Sequence, residues 1–166
     1  MRPKEKNKKK LLCASLSPRE TRKMGKIFAR KVLDYIFSGK KPRKRATIIA
    51  LEGDLGGGKT TFTQGFAKGL GIEGKILSPT FVIMRKYPIP AMKGGYFFHI
   101  DCYRIKSLKD LKSIGIKEII KEPGNIIVVE WAKKIREILP KDTIWIRFEF
   151  VDLKKRRIYS SWCGQN

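Results

Sequence analysis

A glycine-rich run that ends in Lys59 and Thr60 is the part of the sequence whose residue types and spacing are best suited to chemistry. Residues 53–60 read GDLGGGKT and satisfy the pattern G-x-x-x-x-G-K-[S/T]. Glycines let the backbone curve so that its N–H groups face a phosphate, and a following helix adds positive potential. The lysine reaches the β- and γ-phosphates and the threonine hydroxyl suits Mg²⁺. The run therefore predicts a site for a nucleoside triphosphate.

The segments on either side of this run predict the elements that must position it. Residues 46–52 form a short, nearly continuous apolar stretch, which indicates a strand buried on both faces. Residues 60–70 carry apolar side chains at helical spacing, and Gly71 is placed to end the helix. A glycine-rich turn with a chance lysine, the alternative interpretation, does not account for these flanks.

Two carboxylates follow apolar stretches elsewhere in the chain. Glu130 ends the run IIVVE and Asp101 ends FFHID. A phosphate-binding loop needs a carboxylate at the end of a neighbouring strand to hold Mg²⁺ or its waters, and both acids are candidates. In the alternative interpretation, each acid is merely the first exposed residue after a strand.

Four other side chains near these motifs each have two interpretations. His99, the only histidine, is interpreted as a hydrogen-bonded core residue rather than a base or ligand. Thr80 lies in a hydroxyl-bearing turn that suits either a γ-phosphate sensor or a strand entry. Arg104 suits phosphate charge or an ion pair that fixes its loop. Trp131 packs either near the nucleotide or in the core.

The rest of the pattern predicts one α/β domain. Ser17, Pro18 and Glu20 have the spacing of a helix start. Further helices are predicted at 108–114, 117–121 and 132–139, and further strands at 80–87, 96–101, 125–130, 143–151 and 156–161. Strands that alternate with helices, together with hairpins, predict a P-loop NTPase-like three-layer α/β/α fold whose mostly parallel sheet carries antiparallel strands at its margin.

Length and composition limit the organisation and the environment of the chain. Its 166 residues suit a single domain over residues 13–166, preceded by a basic flexible tail over residues 1–12. Three widely spaced cysteines and the lack of a long apolar run favour a reduced, cytoplasmic protein that has no membrane contact. The net charge of +23 indicates either a polyanionic partner or a general bias towards lysine.

Four separated motifs together resemble one family. Residues 51–62, 78–81, 99–104 and 130–131 are similar to the TsaE family in identity, order and spacing, and the resemblance spans about residues 15–162. Three departures are Gly57, where the family usually has alanine, Cys102, where leucine is common, and the lysine-rich tail, which is extra.

The resemblance implies an ATPase that uses ATP and Mg²⁺ in the synthesis of threonylcarbamoyladenosine in tRNA. It implies TsaB and TsaD as partners, contact with tRNA through their complex, no DNA, and hydrolysis that resets the complex. By position, Lys59, Glu130 and Asp101 are the expected catalytic residues, and Thr60, Glu130 and Asp101 the expected metal ligands. The expected nucleotide-binding residues are Asp54, Leu55, Gly56, Gly57, Gly58, Lys59, Thr60, Thr61, Thr21, Thr80, Tyr103, Arg104 and Trp131.

Two other functions remain open at this point. A small-molecule kinase is possible for a short P-loop protein, although no arginine-rich lid segment follows the P-loop helix. A basic RNA-binding protein with a nucleotide-responsive P-loop is the other, and residues 40–45 and 154–157 are the basic stretches that favour it. A GTPase is disfavoured because the sequence has no N-K-x-D motif.

Overall fold

A seven-stranded sheet lies between two layers of helices. The computed structural model describes residues 10–40 and 42–162. The strands are β1 (Lys10–Ser15), β2 (Thr47–Glu52), β3 (Met84–Pro88), β4 (Tyr96–Asp101), β5 (Ile126–Glu130), β6 (Ile144–Phe150) and β7 (Arg156–Ser160). The helices are α1 (Pro18–Phe37), α2 (Lys59–Gly69), α3 (Leu108–Lys112), α4 (Ile116–Lys121) and a 3₁₀ helix, Ala132–Ile138. No helix in these residues is long and apolar enough to span a bilayer.

The sheet is parallel at its centre and antiparallel at both edges. Its strand order is β1-β7-β6-β2-β5-β4-β3. β2 pairs in parallel with β5 and β6, and β4 pairs in parallel with β5. β3, β7 and β1 join as antiparallel strands. The predicted fold class is therefore confirmed.

Alternate side chains of β2 enter two separate cores. Ile49 and Leu51 pack beneath α1 and α2, whereas Ile48 and Ala50 pack on the side of α3, α4 and the 3₁₀ helix. Since neighbouring residues of a strand face opposite sides of the sheet, an apolar run such as this one requires cover on both faces.

Helices α1 and α2 approach each other closely through glycines. A Cβ atom at Gly65 would lie 1.9 Å from the carbonyl oxygen of Arg22, and one at Gly25 would lie 2.1 Å from that of Phe62. Neither position has room for a methyl group. The glycines therefore allow backbone-to-backbone contact that joins α1 to the helix following the glycine-rich run.

The predicted start of α1 is confirmed in detail. Ser17 Oγ accepts a hydrogen bond from the Glu20 amide at 3.2 Å, and Glu20 Oε2 accepts one from the Leu16 amide at 2.6 Å. These bonds satisfy amides that have no partner inside the helix, and Pro18 needs none.

The strand predicted at 80–87 was wrong in its first half, because β3 begins only at Met84. Residues before it turn: the Val82 amide donates to Pro79 O at 2.9 Å, and Ile83 has φ +66°. A β-branched residue with positive φ cannot continue a strand. The segment from Ser78 to Ile83 is instead held to β4 by the Thr80 hydroxyl, which donates to Asp101, and by the Asp101 amide, which donates to Ile83 O at 2.9 Å.

Two further differences concern weakly patterned segments. The α-helix predicted at 132–139 is a 3₁₀ helix interrupted at Ile135, and it follows Trp131 in the left-handed conformation at φ 57°. Strand β1 was not predicted, and it includes Leu11 and Leu12 of the expected tail. Its pairing with β7 is a tertiary contact that local pattern does not reveal. The rest of the expected tail, residues 1–9, lies outside the described residues.

Candidate functional site

The glycine-rich run forms a loop between the end of β2 and the start of α2. Gly53 and Gly58 have φ of 141° and 98°, which L-residues with a side chain rarely adopt. A Cβ atom at Gly53 would also lie 2.5 Å from the carbonyl oxygen of Phe148. Glycine at these positions lets the loop lie against β6 and then turn directly into the helix.

Lys59 lies within this loop as a largely desolvated cation. Its Nζ donates to Gly53 O at 2.7 Å and to Asp54 O at 2.8 Å, and it lies 4.2 Å from the centroid of the Trp131 ring. Burial lowers the pKa of this ammonium group, while the nearby carboxylates act in the opposite sense. A partly desolvated cation of this kind binds anions more strongly than one in water.

Glu130 reaches the loop from the adjacent strand β5. It lies at the register of Leu51 on β2 and of Asp101 on β4. Glu130 Oε2 accepts from the Thr60 hydroxyl at 2.9 Å. Leu51, Glu130 and Asp101 thus lie side by side at the carboxyl-terminal end of the parallel strands, where the sequence predicted the two acids.

His99 contacts the other oxygen of the same carboxylate. Its Nε2 is 2.7 Å from Glu130 Oε1, and both side chains are buried. An ionised carboxylate can only accept, so His99 donates through Nε2–H. The predicted hydrogen-bonded core histidine is confirmed, and its partner is a candidate site residue.

Asp101 links the strand edge to the turn that precedes β3. Its Oδ2 accepts from the Thr80 hydroxyl at 2.5 Å, and its Oδ1 accepts from the Tyr103 amide at 2.8 Å. The Thr80 hydroxyl is also 2.7 Å from that of Ser78. These bonds explain why residues 78–83 turn rather than extend.

Most of the predicted site residues line a single cleft of about 240 Å³. Its lining consists of Leu55, Gly56, Gly57, Gly58, Lys59, Thr60, Thr61, Thr80, Asp101, Tyr103, Glu130 and Trp131. Asp54 does not line it but provides a carbonyl oxygen to Lys59. The Tyr103 and Trp131 rings lie 5.2 Å apart and form one wall.

Thr21 and Arg104 lie outside this cleft. Thr21 lines a neighbouring cleft of about 170 Å³ that shares Gly56, Gly58 and Thr61 with the first. Its buried hydroxyl is 2.7 Å from that of Ser15. Arg104 is exposed and stacks on the Phe81 ring at 4.5 Å from the centroid. The structure therefore brings Thr21 to the loop, while Arg104 contacts the turn.

Sequence reasoning missed three basic residues around the site. Lys154 and Arg156 line the second cleft, and Arg156 Nη2 donates to Gly56 O at 3.4 Å. Their basic stretch was noted only as a candidate RNA contact. Lys134 donates to the Tyr103 carbonyl oxygen, and to Ile105 O at 3.2 Å, which ties the 3₁₀ helix to the loop after Asp101. No sequence signal marks that contact.

Cys102, the departure beside Asp101, is a packing residue. It is fully buried in the core beneath α3 and α4. Burial, together with the Asp101 charge, raises the pKa of its thiol to about 12. The thiol therefore stays protonated and takes no charge into the site.

Comparison with known proteins gives a consistent result. Residues 16–158 match the sequence model of the family described as threonylcarbamoyl adenosine biosynthesis protein TsaE. A Bacillus subtilis protein named tRNA threonylcarbamoyladenosine biosynthesis protein TsaE is 36% identical over 83% of this chain and 77% of its own length. A Haemophilus influenzae protein of the same name is 33% identical over 78% of this chain and 76% of its own.

A solved structure agrees with this result. The crystal structure of YdiB from B. subtilis superposes with a TM-score of 0.66 at 30% sequence identity, covering 92% of this chain and 86% of that one. The similarity therefore extends over nearly the whole sheet and its helices.

Proposed function

The chain belongs to the TsaE family and acts in the biosynthesis of threonylcarbamoyladenosine in tRNA, and we propose that its part in that process is Mg²⁺-dependent hydrolysis of ATP. The observation that carries the proposal is the meeting of Lys59, Thr60 and Glu130 at one sheet edge. A loop of backbone amides, a desolvated ammonium group, a hydroxyl and a carboxylate together suit a triphosphate and its metal ion.

The phosphates are assigned to the loop and the base to the second cleft. Lys59 would exchange its carbonyl partners, Gly53 O and Asp54 O, for phosphate oxygens. The cleft beside Thr21 shares Gly56, Gly58 and Thr61 with the first cleft. A nucleotide held by residues 54–61 can therefore extend into it, with Thr21 near the base and Arg156 at its edge.

The oxygen donors of the site fit Mg²⁺. Thr60, Glu130 and Asp101 offer one hydroxyl and two carboxylates, which are hard ligands of the kind this ion prefers. When bound, the ion neutralises charge on the transferred phosphoryl group. Glu130 and Asp101 are also proposed to orient an attacking water molecule. Lys59 would contribute positive charge to the phosphates.

The remaining predicted residues are assigned to the walls. Thr80 lines the cleft and donates to Asp101, and it is proposed to report on the γ-phosphate in a switch-like segment. Tyr103 and Trp131 form an aromatic wall beside Lys59. Arg104 is separated from the loop by its stacking on Phe81, and its contribution to binding requires movement of that turn.

The proposed partners follow from the family. TsaB and TsaD are expected to form a complex with this protein in the cytoplasm, and hydrolysis is expected to reset that complex after the adenosine beside the anticodon is modified. Turnover by the isolated chain is expected to be slow. No membrane or DNA contact is proposed.

The test is ATP hydrolysis with and without TsaB and TsaD from the same genome. We expect hydrolysis to require Mg²⁺ and to rise when the partners are added. Glu130→Gln keeps the size of the side chain but removes its charge, and it should lower kcat by at least about 100-fold. Glu118→Gln, an exposed residue of α4, is the matched control. Full activity of Glu130→Gln, or transfer of phosphate from ATP to a metabolite in a substrate panel, would contradict the proposal.

A further inference from the structure

A groove lies at the end of the sheet opposite the candidate nucleotide site. One cavity of about 320 Å³ lies where β2 and β6 begin. A second, of about 560 Å³, shares Asp142, Thr143, Ile144 and Trp162 with it. The two cavities therefore adjoin, and together they form what we call the basal groove.

Two polar groups in the basal groove are buried without a partner. Thr143 is 7% exposed, and its hydroxyl has no hydrogen bond within the described part of the chain. Arg43 Nη1 is buried and equally unpaired among those residues. Such groups are costly in a folded protein unless a ligand or water satisfies them. A hydroxyl and a guanidinium group that line the same cavity suit an anionic oxygen acceptor such as phosphate.

The positive charge of the basal groove favours the binding of a polyanion. Arg43, Lys44 and Arg45 line the first cavity, and Arg136 and Lys141 line the second. Among the described residues that line them, Asp142 is the one acid. A row of cations across two adjoining cavities suits successive phosphates better than a single one.

Aromatic side chains line the same two cavities as these cations. Trp162 and Tyr35 lie 5.8 Å apart in the first cavity. In the second, the Arg136 guanidinium lies 5.0 Å from the Trp145 centroid. Base stacking on aromatic rings beside a cationic groove is the usual way in which proteins hold single-stranded nucleic acid.

We propose that the basal groove binds a single-stranded RNA segment. Phosphates contact Arg43, Thr143 and Arg136, and bases stack on Trp145 and Trp162. The choice of RNA over DNA rests on the proposed function in tRNA modification, whereas the preference for phosphates and bases rests on the side chains alone. The site deepens that function, because it gives this chain its own contact with an RNA substrate.

The position of the basal groove makes RNA and nucleotide binding compatible. β2 begins at the groove and ends at the phosphate-binding loop. Its six residues span about 20 Å. The other basic stretch, residues 154–157, lies beside the nucleotide clefts instead. Of the two basic stretches in the sequence, 40–45 and 154–157, the first therefore contributes the RNA-binding residues, Arg43, Lys44 and Arg45.

Binding can be measured with a labelled single-stranded RNA of about ten nucleotides, by fluorescence anisotropy at several salt concentrations. We expect Arg43→Gln/Arg136→Gln to weaken binding by at least about 10-fold and to reduce the salt slope by about 0.7 per lost phosphate contact. Arg22→Gln/Arg30→Gln removes the same charge from exposed positions of α1 and should leave affinity within about 2-fold. Equal loss in both pairs would show non-specific attraction and overturn the proposal.

Tryptophan fluorescence provides a second test that does not depend on charge. The chain has three tryptophans, and two of them line the basal groove. In a Trp131→Phe background, RNA should therefore quench the emission of Trp145 and Trp162. Binding that is detected by anisotropy without quenching would place the RNA elsewhere and overturn the proposal.

The same variants separate this proposal from the proposed ATPase. Arg43→Gln/Arg136→Gln should retain ATP hydrolysis and its thermal unfolding midpoint while losing RNA. Wild-type protein that binds RNA in the groove but hydrolyses no ATP would contradict only the proposed function. Wild-type protein that hydrolyses ATP with its partners but binds no RNA would contradict only the groove.

Discussion

Each oxygen of the Glu130 carboxylate has a partner of its own. Thr60 donates to one and His99 to the other, so the carboxylate is fixed in a single orientation. His99 Nδ1 has no hydrogen bond within the described residues, which leaves the bond to Glu130 as the polar contact of this buried ring. His99 is therefore interpreted as a positioning residue for Glu130.

Replacing His99 tests this interpretation. His99→Leu leaves Glu130 Oε1 buried without its donor and should lower kcat for ATP by about 10- to 100-fold. KM should change little, because loop amides and Lys59 hold the phosphates. Steady-state kinetics at saturating Mg²⁺ provides the measurement.

His99→Gln serves as the control for that substitution. Its side-chain amide can place an N–H group near the position of Nε2, and it should restore most of kcat. If the leucine variant lost stability but kept kcat, His99 would be a core residue only. If the glutamine variant were as slow as the leucine variant, shape rather than the hydrogen bond would matter.

For individual residues, the sequence predicted which side chains could take part in chemistry better than it predicted which side chains contact each other. The carboxylates were predicted because an acid at the end of an apolar strand is visible in one stretch of chain. The bond between His99 and Glu130 was not, since it joins residues on two strands whose register only the folded sheet defines. The clefts contain the predicted side chains except those of Asp54 and Arg104, and the roles of all of them in binding and catalysis stay predictions.

Among the elements, the contact between α1 and α2 depends on glycines, which have no side chain to separate the two backbones. The carbonyl oxygen of Arg22 occupies the place that a Cβ atom at Gly65 would take. Because α2 begins at Lys59, the distance between these helices also determines how Thr21 lies beside the loop.

Gly65→Ala should separate the two helices. The added methyl group overlaps backbone atoms, which cannot move aside as a flexible side chain would, and we expect a loss of about 1–3 kcal/mol in the free energy of unfolding. Urea denaturation monitored by circular dichroism measures it.

Gly124→Ala is the matched substitution. A Cβ atom there meets its nearest neighbour at 3.7 Å, and its φ is not positive. It should change stability by less than about 1 kcal/mol, with a small gain expected from the less flexible unfolded chain. Equal effects of the two alanines would mean that the close helix contact contributes little.

The boundaries of helices and strands were predictable where local sequence signals are strong. The predictions failed where tertiary contacts determine the boundary. The cap at Ser17 predicted the start of α1, and the apolar run at 46–52 predicted β2, each nearly to the residue. The start of β3 was missed because Thr80 bonds to Asp101, a partner 21 positions later in the chain. β1 was missed because its partner, β7, is at the other end of the sequence.

For the whole molecule, the central fact is that its two candidate sites lie at opposite ends of β2. The sequence indicated a strongly basic surface, but it could not divide the basic stretches between sites. Only the fold places residues 154–157 beside the phosphate-binding loop and residues 43–45 at the far end.

Lys59→Ala should separate the two activities. We expect it to abolish measurable nucleotide binding, because the loop loses its ammonium group, and to leave RNA affinity and its salt dependence unchanged. Isothermal titration with an ATP analogue and Mg²⁺, alongside RNA anisotropy, provides both measurements. Lys68→Ala, an exposed lysine near the end of α2, should affect neither. Loss of RNA binding in Lys59→Ala would refute separate sites.

The bonds made by Lys134 have a mechanical consequence for the nucleotide cleft. Its ammonium group donates to the carbonyl oxygens of Tyr103 and Ile105, so it links the 3₁₀ helix that follows Glu130 to the segment that follows Asp101. The turn that carries Phe81 has no hydrogen bond to the 3₁₀ helix among its described bonds, and the Phe81 ring is 82% exposed. We therefore expect the turn that carries Phe81 to be the segment that moves when a substrate binds, with the contact between Thr80 and Asp101 as its hinge.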